Sequence, residues 1–228
     1  KIIPDHYDII IGQVTTNQLY GLPLMEVIPR LMPDWERRVK RFSDIVFSFA
    51  VLFGLIPLWI LIAVIIKIDS RGPLFYLQKR VGMNGKIFTM IKFRSMVDGA
   101  EKMSGPVWAT WKDPRVTGFG RFLRRTRLDE IPQLLNVIVG DMSWVGPRPE
   151  RPHFVDKFKQ SIPLYARRLR VRPGITGWAQ IKGGYDQSVA HVKQKLEYDL
   201  YYLENMSLRM DLKIIFTTLG VMLQTSGH

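Results

Sequence analysis

One apolar run interrupts an otherwise mixed pattern of hydrophobic and polar positions. From Ile45 to Ile66 the chain reads IVFSFAVLFGLIPLWILIAVII without a charge, about 33 Å long as a helix and thus of membrane length. A core helix rarely stays apolar on every face for so long. Pro57 sits just past the middle, where it removes a backbone hydrogen bond and clashes with the preceding turn, and Gly54 loosens the helix one turn earlier. Arg37, Arg38, Lys40 and Arg41 precede the run, and Lys67, Arg71, Lys79 and Arg80 follow it. Under the positive-inside rule both ends ask to be cytoplasmic. The pattern predicts a re-entrant helix-break-helix over Arg37–Lys67, with a plain kinked span as the alternative.

Elsewhere the periods are shorter. A helix is expected from near Asp34, after Pro29 and Pro33. LFYLQKRVGMNGKIFTMIKF holds two strand-like runs around Asn84-Gly85, a hairpin signal. Helices are expected around Val97–Met103, Phe119–Arg125 and Ile131–Val139. Val189, Val192, Leu196, Leu200 and Leu203 recur at helical spacing, as do Leu212, Ile215, Phe216, Leu219 and Met222. These two amphipathic helices could pack on the core or lie in a membrane interface. Residues 1–33 read as a connecting arm from a missing N-terminal domain, and 34–228 as the functional unit.

The chain has 228 residues, 46% of them apolar, enough for one sizeable domain and too apolar for wholesale disorder. Its 33 Lys and Arg against 20 Asp and Glu give a net charge of +13. Polyanions, anionic lipid or phosphorylated small molecules are the partners such a charge favours. With no cysteine, disulfides, thiolate metal sites and cysteine nucleophiles are excluded. His6, His153, His191 and His228 are scattered without metal-ligand spacing. P-loop, dinucleotide-binding, zinc-protease and nucleophile-elbow motifs are absent.

The remaining chemistry lies in basic clusters near turns: KFRSM (Lys92–Met96), RFLRRTR (Arg121–Arg127), GPRPE (Gly146–Glu150) and RVRPGITGWAQ (Arg170–Gln180). Arginine forks and Gly/Pro loops suit phosphate oxygens. Directly after the second cluster, RLDEIPQ places Asp129 beside Glu130. Taken alone, Thr126 and Asp129 fit an [ST]-x-x-[DE] helix cap. Among arginines, a carboxylate pair can also attack a pyrophosphate if cations offset the phosphate charge. The two readings are compatible, since a helix N-terminus and nearby arginines would hold Asp129 ionised.

These motifs, from Glu36 onward, resemble those of the bacterial sugar transferases, monotopic polyprenyl-phosphate hexose-1-phosphate transferases. KRFSDIVFS, the apolar run with Pro57, DSRGPLFYLQKRVGMNGKIFTMIKFRSM, RRTRLDEIPQLLNVIVGDMSWVGPRPE and RPGITGWAQIKG carry the resemblance. It implies transfer of a sugar 1-phosphate from a UDP-sugar to undecaprenyl phosphate, with release of UMP, Mg²⁺ as cofactor and a covalent Asp-linked phosphosugar. It further implies Asp129 as nucleophile, Glu130 as its partner, both acids near the metal, and Lys92, Arg94, Arg124 and Arg148 as phosphate or substrate contacts. Pro57 matches the family's helix-breaking proline, although many small members have Ser where Ile56 stands. The expected fold is α+β, mainly α: a monotopic protein with a re-entrant helix-break-helix, amphipathic interfacial helices and a small β-hairpin. The bacterial inner membrane, with the catalytic domain on its cytoplasmic face, is the implied location. Membrane lipids are expected partners, a homodimer is possible in principle, and no nucleic acid is expected. The competing reading is a non-catalytic basic membrane scaffold of a polysaccharide assembly complex.

Overall fold

The computed structural model describes residues 15–19, 22–26, 32–100, 113–183 and 189–225. Among these residues helices dominate, with three separate two-stranded sheets. In the expected arm, β1 (Thr15–Leu19) pairs antiparallel with β2 (Leu22–Glu26). Two helices follow, α1 (Asp34–Gly54) and α2 (Ile56–Asp69), bent by 63° at Leu55. The break falls between Gly54 and Pro57, as expected from a proline that cannot donate to the preceding turn. No single helix among the described residues is long and apolar enough to cross a membrane, and this bent pair is the candidate.

The apolar run serves two surroundings. Ile62 and Ile66 of α2 are buried with Phe93 and Leu123, and Trp59 meets Phe93 edge-on at 5.2 Å. Phe47, Phe53, Ile56, Ile60, Leu61 and Val64 remain exposed. The polar side of α1 grips the body. Lys40 pairs with Asp211 at 2.5 Å, and Arg41 donates to the carbonyls of Val137 and Ile138. Buried Asp44 accepts from Ser143 Oγ at 2.7 Å, while Trp144 Nε1 donates to Ser48 Oγ at 2.9 Å. Asp44 and Ser48, the buried polar side chains of α1, thus both find partners, as burial requires.

The expected hairpin is present: β3 (Phe75–Val81) pairs antiparallel with β4 (Ile87–Phe93). Its loop places Asn84 and Gly85 at positive φ, which those residue types tolerate. Then come α3 (Gly118–Thr126), α4 (Gln133–Val139), β5 (Ser143–Val145) and α5 (Pro152–Ser161). The helix expected at Val97–Met103 does not begin where the pattern placed it: Asp98 and Gly99 form a turn, with Gly99 at φ 73°, only Ala100 is helical, and residues 101–103 lie outside the described residues; Met96 bridges Val116. After a 3-10 turn at Tyr165–Arg170, β6 (Gly174–Thr176) pairs parallel with β5. The backbones meet so closely there that a Cβ on Gly146 would fall on Arg172 O, one on Gly174 on Gly146 N, and one on Gly177 on Gly146 O.

Short α6 (Trp178–Lys182) leads to α7 (Val189–Glu204) and α8 (Leu208–Thr225). The two amphipathic stripes meet different fates. On α7, Leu196 and Leu203 are buried, with Val192 and Leu200 packed against the core. On α8, Ile214 is buried but Leu212, Phe216 and Leu219 are exposed. The side chains of Val189 and Met222 lie outside the described residues.

Candidate active site

The chain reverses twice around the acid pair. Thr117 caps α3 by accepting from Gly120 N at 3.0 Å. The helix ends at Arg127, in left-handed conformation with φ 56°. A 3-10 turn, Leu128–Glu130, then presents both acids, and Pro132 opens α4. The capping reading of Thr126 does not hold, because its Oγ1 donates backwards to Phe122 O at 2.9 Å. It is the last residue of a helix, where a hydroxyl finds carbonyls rather than free amides.

Lys92 comes from β4, and α4 fixes its height. Asn136 of α4 donates to Thr89 O at 2.8 Å and accepts from Ile91 N at 3.1 Å, docking helix to strand like an added ladder rung. Lys92 Nζ thereby lies 2.7 Å from Glu130 Oε1, and Arg148 NH2 reaches the same oxygen at 2.6 Å. Two charge-assisted bonds on one atom hold Glu130 firmly. Arg148 first, then Lys92, keep its carboxyl well below the usual carboxylate range, against the opposing effect of burial. Burial in turn lowers the Lys92 ammonium, and Glu130 works against that shift.

Asp129 is the contrast. It is as buried as its neighbour, yet it makes no hydrogen bond or ion pair among the described residues. Burial pushes its carboxyl up to about 6; Lys92, Arg124 and Arg148 resist the shift and Glu130 adds to it. The sequence argument expected a dipole and arginines to favour ionisation. Instead desolvation outweighs them, since the acid lies in a 3-10 turn rather than on a helix end.

The other expected contacts divide. Arg124 lies near enough to act on both Asp129 and Asp113. Arg94 faces elsewhere: its NH2 donates to Ser70 O at 2.6 Å and Ser70 Oγ at 3.0 Å, binding the C-terminal end of α2. Of the six site residues named from sequence, the structure gathers Lys92, Asp129, Glu130 and Arg148, sets Arg124 beside them, and leaves Arg94 against α2. Pro57 stands at the helix break. Buried Arg168 and Asp199, 2.8 Å apart behind Arg148, were not foreseen. Arg168 lies just outside a flagged cluster, but nothing in its spacing announces burial.

Among the described residues no three His, Asp or Glu converge on a metal position. Asp129 and the unbonded Glu130 Oε2 supply two carboxylate oxygens. That suits Mg²⁺, which binds through one or two carboxylates and otherwise keeps water and substrate phosphates.

One unquenched buried carboxylate beside another held by two cations is a site suited to handling phosphate esters. The chain belongs to the bacterial sugar transferase family, whose model matches residues 35–225. It is 40% identical over 216 residues to a UDP-N-acetylgalactosamine-undecaprenyl-phosphate N-acetylgalactosaminephosphotransferase of Aeromonas hydrophila, covering 95% of this chain and 50% of that protein. A UDP-glucose:undecaprenyl-phosphate glucose-1-phosphate transferase of Escherichia coli (strain K12) is 39% identical over 219 residues, covering 95% and 47%. The exopolysaccharide production protein PSS of Rhizobium leguminosarum bv. phaseoli is 41% identical over 188 residues, 79% of this chain and 92% of that protein. The chain spans about half the length of the first two.

Proposed function

We propose that this protein transfers a sugar 1-phosphate from a UDP-sugar to undecaprenyl phosphate, opening exopolysaccharide or O-antigen assembly. The observation that carries the reading is Asp129, buried without a hydrogen bond or ion pair among the described residues, beside a Glu130 held by Lys92 and Arg148. A carboxylate oxygen attacks the phosphorus attached to the sugar. The bond from that phosphorus to the bridging oxygen breaks, and UMP leaves with the electron pair. A phosphate oxygen of undecaprenyl phosphate then attacks the same phosphorus and frees Asp129, leaving a sugar on a polyprenyl diphosphate. Arg148 and Lys92 keep positive charge at the site while locking Glu130, and Arg124 meets phosphate oxygens. When bound, Mg²⁺ would offset phosphate charge, held by Asp129 and Glu130 Oε2.

A lipid acceptor agrees with the exposed apolar faces of the bent pair and of α8. In this reading the pair dips into the cytoplasmic leaflet of the inner membrane and returns to the same face. Because the chain has no cysteine, Arg38→Cys and Arg71→Cys can report sidedness. Labelling from opposite sides of intact cells would rule out the re-entrant form.

The deciding assay supplies purified protein with undecaprenyl phosphate, Mg²⁺ and a panel of UDP-sugars, and scores UMP. Release with at least one sugar is expected, and which sugar supports it identifies the donor. No release with any sugar would overturn the reading in favour of a basic scaffold.

A further inference from the structure

Arg148 has to place its guanidinium on Glu130 from GPRPE, a loop without secondary structure. Its steadiness comes from four consecutive carbonyls, each of which accepts a hydrogen bond. Pro147 O accepts from Gly174 N at 3.0 Å, and Glu150 O from Val81 N at 3.0 Å. Pro149 O accepts from Arg80 NH1 at 3.0 Å, and Arg148 O from Arg168 NH2 at 2.8 Å. The bond at Arg148 itself therefore depends on one buried side chain.

Arg168 is costly to keep there. It is 8% exposed, beside the apolar cluster of Phe158, Tyr165 and Leu196. Replacing a buried ion pair by apolar packing is often neutral or stabilising, so packing alone does not explain it. Its fork meets three partners: Tyr165 OH at 2.8 Å, Asp199 at 2.8 Å and Arg148 O. A planar guanidinium can hold several partners at fixed angles, whereas an ammonium on a flexible stem cannot. Asp199 belongs to α7, so the linkage runs from the α7 core helix through Arg168 to Arg148 and Glu130.

We infer that Arg168, oriented by Asp199, is a positioning residue that sets Arg148 on Glu130 during phosphosugar transfer. The inference rests on the transferase reading for its kinetic test. Arg168→Lys is expected to lower kcat for UMP release about tenfold or more, as misplacing a charged contact does. In an Arg148→Ala background the same change should cost less than about twofold, because its target is gone. Equal losses in both backgrounds would overturn the inference. If wild-type protein releases no UMP, the transferase reading fails, and a crystal structure of Arg168→Lys decides the inference on its own. Loss of the Arg148–Glu130 contact in a folded variant supports it, and an unchanged contact overturns it. Should Arg168→Lys not fold, Tyr165→Phe, which removes one partner of the Arg168 fork without stranding a charge, takes its place in both measurements, with a smaller loss of the same pattern supporting the inference and equal losses in both backgrounds, or an unchanged Arg148–Glu130 contact, overturning it.

Discussion

Two buried aspartates, Asp129 near the acid turn and Asp199 on α7, have carboxyls raised by burial to about 6. They differ in what meets them. Asp199 lies 2.8 Å from Arg168, whose own guanidinium is held more firmly protonated, so the pair is ionised and closed. Asp129 has cations near it and none bonded to it. The same desolvation thus accompanies fastening in one place and, in the proposed mechanism, reactivity in the other. A charge kept both buried and unpaired costs stability, and such a cost is expected where chemistry is done.

The strongest way to break this contrast is Asp129→Asn. It should lower UMP release by at least about 10³-fold, as loss of a nucleophile does. The same variant should gain roughly 1–3 kcal/mol at pH 7.5. The sign follows from linkage: a folded-state value raised above 3.8 to about 6 means stability falls as pH rises through that window. Above it the full penalty persists, and Asn removes it. Denaturant unfolding beside the UMP assay checks both halves, and a destabilised, active variant would reverse the assignment.

Asp199→Asn should do the opposite to stability. It strands Arg168 in the core, and breaking a buried pair costs about 3–5 kcal/mol. A shift of that size in unfolding midpoint is expected, whereas an unchanged midpoint would mean the pair is not closed. A smaller effect concerns pH. kcat/KM should fall up to about tenfold per pH unit below about 6 as Asp129 protonates, levelling off above it. A flat profile from pH 5 to 8 would contradict an ionising nucleophile at that value. The smallest effect calibrates the others: Arg37→Ala removes a pair with Asp34 whose side chains are 61% and 76% exposed, and should change stability by under about 0.5 kcal/mol.

Much of the fold was legible because local signals were strong. Asn84-Gly85 turned the hairpin, and Pro57 with Gly54 broke the apolar run. The periodic stripes of α7 and α8 were both visible, but periodicity cannot say what a stripe faces, and only α7 turned it inward. The parallel pairing of β5 and β6 escaped notice because each strand is three residues long, too short for an alternation to register. In the site, the charged clusters KFRSM, RFLRRTR and GPRPE and the adjacent acids were legible, and the family resemblance singled out Lys92, Asp129, Glu130 and Arg148 within them. Arg94 shares a motif with Lys92, yet it stands past the last residue of β4 and turns to Ser70. Its direction depends on where α2 ends, which is tertiary information. Arg168 and Asp199 were hidden for the same reason: a buried charge and a solvated one read alike in a sequence.

Gly146, Gly174 and Gly177 lie where an added Cβ would strike backbone. For a lineage accumulating mutations, these three positions are closed to drift. Anything larger than hydrogen would push apart the β5–β6 pair, and GPRPE with it. Substitutions that reach the loop of Arg148 are therefore confined to positions other than these three glycines.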